Sequence, residues 1–347
     1  MENTLPENFH PAVRRWFSST FGTATPVQTA AWKVLSERQH ALISAPTGEG
    51  KTLAAFLAII DDLVRRAARG ENIRSARILY ISPLKALSND IEKNLREPLA
   101  GIQNELRREG IEIDEIHAMV RTGDSSASER AKLVRLKPQI VVTTPESLYL
   151  LLTSASGRAL LSTIETVIID EIHALVSNRR GAHLSLSLQR LENLRRDTDG
   201  EAEKNATMIP YRKLQRVGIS ATVKPLDVVA RYLAGDEPVA IAGDTKIRPF
   251  DIQIVTPREG LSAVMSGETW DEIYRRLADE IRHRRTTLIF VNNRRLSERL
   301  ARHLSELIGA ENVASHHGSL SHAQRHRSEQ LLKEGKLRVM VATSSLE

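Results

Sequence analysis

The chain has 347 residues, 41% of them hydrophobic and 27% charged, with 49 Lys and Arg against 43 Asp and Glu. That length suggests two domains with cores large enough to fold without covalent staples. The absence of cysteine excludes disulfides, thiolate-bound zinc and cysteine nucleophiles. The longest apolar run, 53–60, is too short to cross a bilayer, and the acidic start lacks the apolar core of a signal peptide. A cytoplasmic protein with no membrane partner is therefore expected. The net charge of +6 suits nucleic acid but decides nothing alone.

In chain order, the first helical signals lie around Trp16, Phe17 and Phe21, which read as a small N-terminal core or as a stacking surface for a base. Short β-branched runs at 41–44, 77–81, 140–143, 167–169 and 216–219 alternate with helical stretches such as 53–69, which ends at Gly70. Near-continuous apolar runs of that length suit parallel strands covered on both faces. The polar stretch 195–213 reads as a surface loop. Residues 240–260, with Gly243, Pro249, Pro257 and Gly260, read as the crossing between domains. The alternation then resumes, with a helix at 270–285 and strands at 287–291, 313–317 and 339–343. The expected division is 1–240, a linker at 241–260, and 261–347. The expected fold is α/β, with helices flanking parallel sheets.

The strongest local signal is Ala45-Pro46-Thr47-Gly48-Glu49-Gly50-Lys51-Thr52, between a strand and a helix. Gly48 and Gly50 let backbone N–H groups approach phosphate oxygens, and the next helix points its N-terminus at the same anion. Lys51 reaches the β- and γ-phosphates, and the Thr52 hydroxyl is a magnesium ligand. A P-loop needs a carboxylate on a neighbouring strand, and one tetrapeptide occurs twice: Asp114-Glu115-Ile116-His117 and Asp170-Glu171-Ile172-His173. Asp170 follows the buried run Val167-Ile168-Ile169. Asp114 follows Ile111-Glu112-Ile113, which would set Glu112 on a solvated face. Only Asp170 leaves room after Lys51 for two more strand–helix units. Asp170 is thus assigned to magnesium and Glu171 to activation of the attacking water, and the earlier copy is treated as coincidence. His322 and His326 stand one helical turn apart, but no third ligand is near, so zinc is not expected.

These residues resemble superfamily 2 helicases of the DEAD/DEAH-box type, and within them the large helicase-related (Lhr) family. Thr25-Pro26-Val27-Gln28 resembles the glutamine motif that reads adenine, and 45–52 is similar to motif I. Residues 82–87 are similar to motif Ia, whose Pro83 and Lys85 would touch nucleic acid, and Arg121-Thr122-Gly123-Asp124 and Thr144-Pro145-Glu146-Ser147 look like the motifs that grip the tracking strand. Asp170-Glu171-Ile172-His173 resembles motif II, and Ser220-Ala221-Thr222 resembles motif III, which with His173 implies coupling of the nucleotide site to the nucleic-acid groove. Further on, Asn292-Asn293-Arg294, His317-Gly318 and Thr343-Ser344 look like elements of the second domain that touch nucleic acid.

The resemblance implies two tandem RecA-like domains, ATP and Mg2+ as ligands, and 3′-to-5′ movement along single-stranded or partly duplex DNA, RNA or hybrid. No protein partner is inferable. Residues 197–213 look longer than the family's usual connection, and the chain stops inside motif V, before the arginine fingers of motif VI. The second domain is therefore expected to be incomplete, with 339–343 at or near a bare sheet end, slow turnover and a tendency to associate. Two other readings stay open: a nucleotide- and nucleic-acid-binding module without productive turnover, and a P-loop enzyme acting on small molecules.

Overall fold

In the computed structural model the described residues are 5–83, 92–204, 213–222, 224–243, 251–258, 260 and 265–343; for 92, 93, 197–204 and 322 only the backbone is described. The chain forms two compact units, Met1–Arg248 and Pro249–Glu347.

The first unit is built on a seven-stranded sheet: β1 (His40–Ser44), β2 (Ile78–Ile81), β3 (Ala118–Arg121), β4 (Ile140–Thr143), β5 (Thr166–Ile169), β6 (Gln215–Ser220) and β7 (Val239–Gly243). Their spatial order is β3-β4-β2-β5-β6-β1-β7, and every pairing is parallel. The apolar runs are continuous because successive side chains enter two different cores. Ala41, Ile43, Tyr80, Val142, Ile168 and Ile219 face one core, with Phe17, Trp32, Phe56 and Ile60 from the flanking helices. Leu42, Leu79, Ile81, Val141, Val167 and Ile169 face the other, with Leu148, Leu184 and Leu188. Each such side chain, fully buried, contributes roughly 1.5–3 kcal/mol.

Five strands lie where the apolar runs suggest. The two others, β3 and β7, are sheet edges with half-exposed residues, such as Ile241 in β7. They lack the continuous apolar signature for that reason. Since β7 pairs with β1 along its whole length, residues 241–243 of the expected linker belong to the first sheet. The expected loop at 195–213 is also corrected over its first half. The helix Arg179–Lys204 runs through it, with Arg195 buried and Arg196 paired to Glu192 at 3.2 Å. Polar composition there marks a helix with solvated faces, not a break in the helix.

Trp16 and Phe17 lie in the N-terminal core. Phe17 meets Trp32 edge-on at 5.3 Å, and Phe21 packs at its rim. The N-terminal helix Pro11–Phe21 is pinned by a buried carboxylate. Asp61, on helix Lys51–Ala68, accepts from the His10 backbone N–H at 2.6 Å and from Arg65 Nε at 2.6 Å. Burial pushes its pKa up from 3.8 to about 6, the hydrogen bonds from His10 and Arg65 offsetting only part of the cost.

The second unit holds β8 (Thr287–Phe290), β9 (Val313–His316) and β10 (Val339–Ala342) in the parallel order β8-β10-β9. Helices Gly267–Arg282 and Arg294–Ile308 enclose a core of Tyr274, Ala278, Ile281, Leu300, Leu304, Val339 and Val341. The expected bare end is thus overturned. The crossover helix His322–Lys333 returns the chain between β8 and β9, so β10 is the central strand and wholly buried.

Because its protonated form is favoured in the fold, Asp61 contributes stability that is complete below about pH 4 and lost as the pH rises through about 6. Asp61→Asn should remove that component, which is of order 3 kcal/mol. Urea midpoints of the first unit's transition, measured from pH 4 to pH 7, should show the wild type falling relative to the variant; parallel profiles would contradict it.

Candidate active site

The carboxyl ends of β1, β5 and β6 lie side by side, and the candidate residues follow them. In open α/β sheets this edge is where ligands bind. Ser44 of β1 is in register with Ser220 of β6, and the Ala45 N–H donates to the Ser220 carbonyl at 3.4 Å. The loop after β1 takes left-handed conformations at Gly48 (φ +90°) and Gly50 (φ +73°) before helix Lys51–Ala68 begins. A Cβ on Gly48 would meet nothing, so its backbone stands open, as an anion cradle requires. Thr47 is exposed on the loop and Glu49 half-buried. Thr52 lies in the first helical turn, beside Lys51.

The Lys51 ammonium is folded into the loop and donates to the carbonyls of Ala45 at 2.7 Å and Pro46 at 2.8 Å. Burial lowers its pKa, opposed by the negative charges of Glu171, Asp170 and Glu49. Asp170 follows β5, its backbone N–H bonded to the Ile81 carbonyl at 2.8 Å. One carboxylate oxygen accepts from the Glu171 N–H at 2.9 Å, and the other from the Tyr80 hydroxyl. Tyr80 was not among the sequence candidates. Its signal was a lone aromatic hydroxyl in a buried strand, which needs a polar partner.

Glu171 sits at φ +46°, an unfavourable conformation for a side chain of its kind. Its carboxylate lies 3.3 Å from His173 Nδ1, and that nitrogen lies 3.3 Å from Ser220 Oγ. The Ala221 carbonyl accepts from Ser44 Oγ at 3.3 Å, and Thr222 is exposed beyond it. Glu171, His173 and Ser220 are therefore linked through one imidazole nitrogen, from the acidic pair to the end of β6. Asp114 lies elsewhere. Exposed, it pairs with Arg74 through two contacts of 2.9 Å.

Gln28 is buried against the loop. Its Oε1 accepts from the Thr25 N–H at 3.0 Å, and its Nε2 donates to the Gly50 carbonyl at 3.4 Å. Thr25 Oγ1 adds a bond to the Glu49 carbonyl at 3.0 Å. The amide expected to read adenine thus braces the glycine loop and caps helix Pro26–Ser36.

The expected strand-gripping residues fall into three groups. Pro83 and Glu146 are joined by Arg180, which donates to the Pro83 carbonyl at 3.2 Å and to the Glu146 carboxylate at 2.6 and 3.2 Å. Arg180 was missed, because nothing in its local sequence sets it apart from Arg179. Thr144 caps helix Pro145–Thr153, accepting from Ser147. Arg121 is only 8% exposed and turns its guanidinium onto the Thr122 carbonyl. It shapes the loop that displays Gly123 and Asp124. Lys85 and Ser344 lie outside the described residues.

In the second unit Asn293 caps helix Arg294–Ile308, with Asn292 and Arg294 exposed beside it. Arg294 Nε lies 3.1 Å, and His317 Nε2 3.2 Å, from the same oxygen of Glu298. Gly318 is exposed next to His317, and the Thr343 N–H donates to the His316 carbonyl at 3.0 Å. Glu298, also missed, lies between two motif-like segments.

Residues 25–229 match the DEAD/DEAH box helicases, and residues 269–347 match the helicase conserved C-terminal domain. The chain belongs to the DEAD/DEAH box helicase family. Within that family its likeness is to the Lhr helicases. It is 41% identical over 394 residues to the Lhr helicase/uracil glycosylase of Escherichia coli, covering 99% of this chain and 24% of that protein. It is 41% identical over 347 residues to the ATP-dependent helicase Lhr-Core of Methanocaldococcus jannaschii, covering 100% of this chain and 39% of that one. Among solved structures, Mycobacterium smegmatis Lhr bound to ssDNA and AMP-PNP superposes with a TM-score of 0.75 at 40% identity, over 99% of this chain and 42% of that one. The DUF1998 helicase MrfA, at 19% identity and a TM-score of 0.74, shares the fold. The chain therefore spans between about a quarter and two-fifths of the length of these relatives.

At Gly50 a Cβ would overlap the Gln28 amide nitrogen, and the positive φ adds strain. Gly50→Ala should cost about 1–3 kcal/mol, read as a lower denaturant midpoint. An unchanged midpoint would show that the loop is not held in this geometry.

Proposed function

We propose that the chain is the motor portion of an ATP-dependent helicase that translocates 3′ to 5′ on single-stranded nucleic acid and unwinds duplex ahead of it. The observation that carries this reading is the polar chain Glu171–His173–Ser220 beside Lys51 and Asp170. An isolated phosphate-binding enzyme has no need of a connection from its acidic pair to a neighbouring strand end.

The chain's residues fit magnesium-ATP. The open backbone at Gly48 is a cradle for phosphate oxygens, and Lys51 exchanges its loop carbonyls for the β- and γ-phosphates. Thr52 and Asp170 supply the hard oxygen ligands that suit Mg2+, with Tyr80 and the Glu171 N–H orienting the carboxylate. Magnesium, when bound, neutralises charge on the phosphate oxygens. Glu171 orients the attacking water and holds its proton. His173 and Ser220 relay the state of Glu171 to Ala221 and Thr222. Pro83, Thr122–Asp124, Thr144, Pro145 and Glu146 grip the strand from the first unit, and Asn292–Arg294, His317, Gly318 and Thr343 from the second. Backbone contacts of this kind predict little sequence preference and a steep salt dependence. The direction of movement is what the motif resemblance implies, and backbone contacts of this kind serve DNA, RNA or a hybrid alike.

Calorimetry of magnesium-ATP binding tests the site. Lys51→Ala and Asp170→Asn should each weaken binding by about tenfold or more, roughly 1.4 kcal/mol, while Asp114→Asn leaves it unchanged. Equal affinity for wild type and Lys51→Ala would overturn the phosphate assignment. A single-stranded oligonucleotide should raise ATP turnover, and a rate indifferent to it would overturn the translocase reading.

A further inference from the structure

Helix Pro145–Thr153 starts at the Thr144-Pro145-Glu146 motif, and one turn on it presents Tyr149 beside Glu146. Helix Arg179–Lys204 packs along it. Arg180, His183 and Arg190 recur at helical spacing on the face that meets Tyr149. The Tyr149 and His183 rings lie 4.8 Å apart, and the Arg190 guanidinium carbon lies 5.4 Å from the Tyr149 centroid. Tyr149 nevertheless stays 40% exposed, and Leu186, on the same helix, is 69% exposed. A tyrosine backed by a cation and left open to solvent presents a rigid π-face at small entropic cost. At the head of the ridge Arg180 pairs with the Glu146 carboxylate at 2.6 Å, so the two together present no net charge to a passing phosphate.

We propose that Tyr149, His183 and Arg190 form a further single-strand-binding ridge, with Tyr149 as a base-stacking platform and Arg190 as a phosphate contact, extending the track that begins at Pro83 and Glu146. The proposal rests on the helicase reading above. Continuity with the Pro83–Arg180–Glu146 clasp, and the Arg190 guanidinium beside the ring, favour nucleic acid over a protein partner. Aromatic stacking platforms set beside basic side chains are the general device for binding single strands without sequence preference.

Fluorescence anisotropy with the full chain, using thymidine oligonucleotides of about 6 and about 20 nucleotides, separates the ridge from the motif loops. Tyr149→Ala should weaken the long oligonucleotide by roughly 5- to 100-fold and leave the short one unchanged. Tyr149→Trp, which keeps an aromatic face, should restore it. Arg190→Gln should reduce the salt slope for the long oligonucleotide by about 0.7. Photocrosslinking from 5-iodouracil placed in the long oligonucleotide should reach Tyr149. If the wild type binds both lengths and the variants match it, the ridge is overturned, the helicase reading stands, and the surface is left to a protein partner. Equal loss at both lengths on Tyr149→Ala would place the effect in the motif loops and also overturn it. If the wild type binds neither oligonucleotide, the helicase reading fails and the ridge fails with it.

Discussion

Parallel pairing of β5, β6 and β1 is the constraint on which the site depends. In parallel strands the register fixes which chain ends emerge together. Here it sets Asp170, Ser220 and Ala45 at one edge of the sheet, although they are distant in sequence. Each element of the site is then completed from a neighbouring strand: Tyr80 of β2 holds Asp170, His173 bridges Glu171 to Ser220, and Ser44 holds the Ala221 carbonyl. A one-residue slip in any of these strands would exchange the two core faces and turn the polar ends away from one another.

The opposite edge of the same sheet is held by charge. Glu165, just before β5, receives Arg66 at 2.8 Å, Arg77 next to β2, and Arg38 at 3.9 Å. Burial pushes the Glu165 carboxyl up, but Arg66 first, then Arg77 and Arg38, more than offset it and hold it below the usual range. Arg66 is 9% and Glu165 11% exposed. Removing one partner of such a buried pair typically costs about 3–5 kcal/mol, since an uncompensated charge is left behind. Arg66 belongs to the helix that starts at the glycine loop, so this cluster anchors the far end of the element whose first turn carries Lys51 and Thr52.

The second unit repeats the principle on a smaller scale. Ser297 Oγ donates to the Val341 carbonyl at 2.8 Å, tying helix Arg294–Ile308 to the central strand. Glu298, one residue on, gathers Arg294 and His317. Along the same helix Arg299 stacks over Trp270 at 4.4 Å, and His303 stacks on Tyr274. Arg294 and Arg302 pair along that helix with Glu298 and Glu306, each four residues on.

Local chemistry was sufficient to locate the glycine loop, Lys51, Thr52 and the central strands, because each depends on contiguous residues: glycines where φ is positive, apolar runs where both faces are covered. It also separated Asp170 from Asp114, through the continuous apolar run before the first and the alternating residues before the second. Tertiary structure decided the rest. Edge strands β3 and β7 have only one covered neighbour and no continuous apolar run. The helix through 195–204 keeps Arg195 buried in a stretch whose composition reads as loop. The central place of β10 follows from a crossover that returns the chain between two earlier strands, a relation no local pattern encodes. Tyr80 and Arg180 act through partners far along the chain, and only folding brings those partners within hydrogen-bond reach. Gln28 shows the same limit, since its amide is engaged by a loop that its own neighbours in sequence do not reveal.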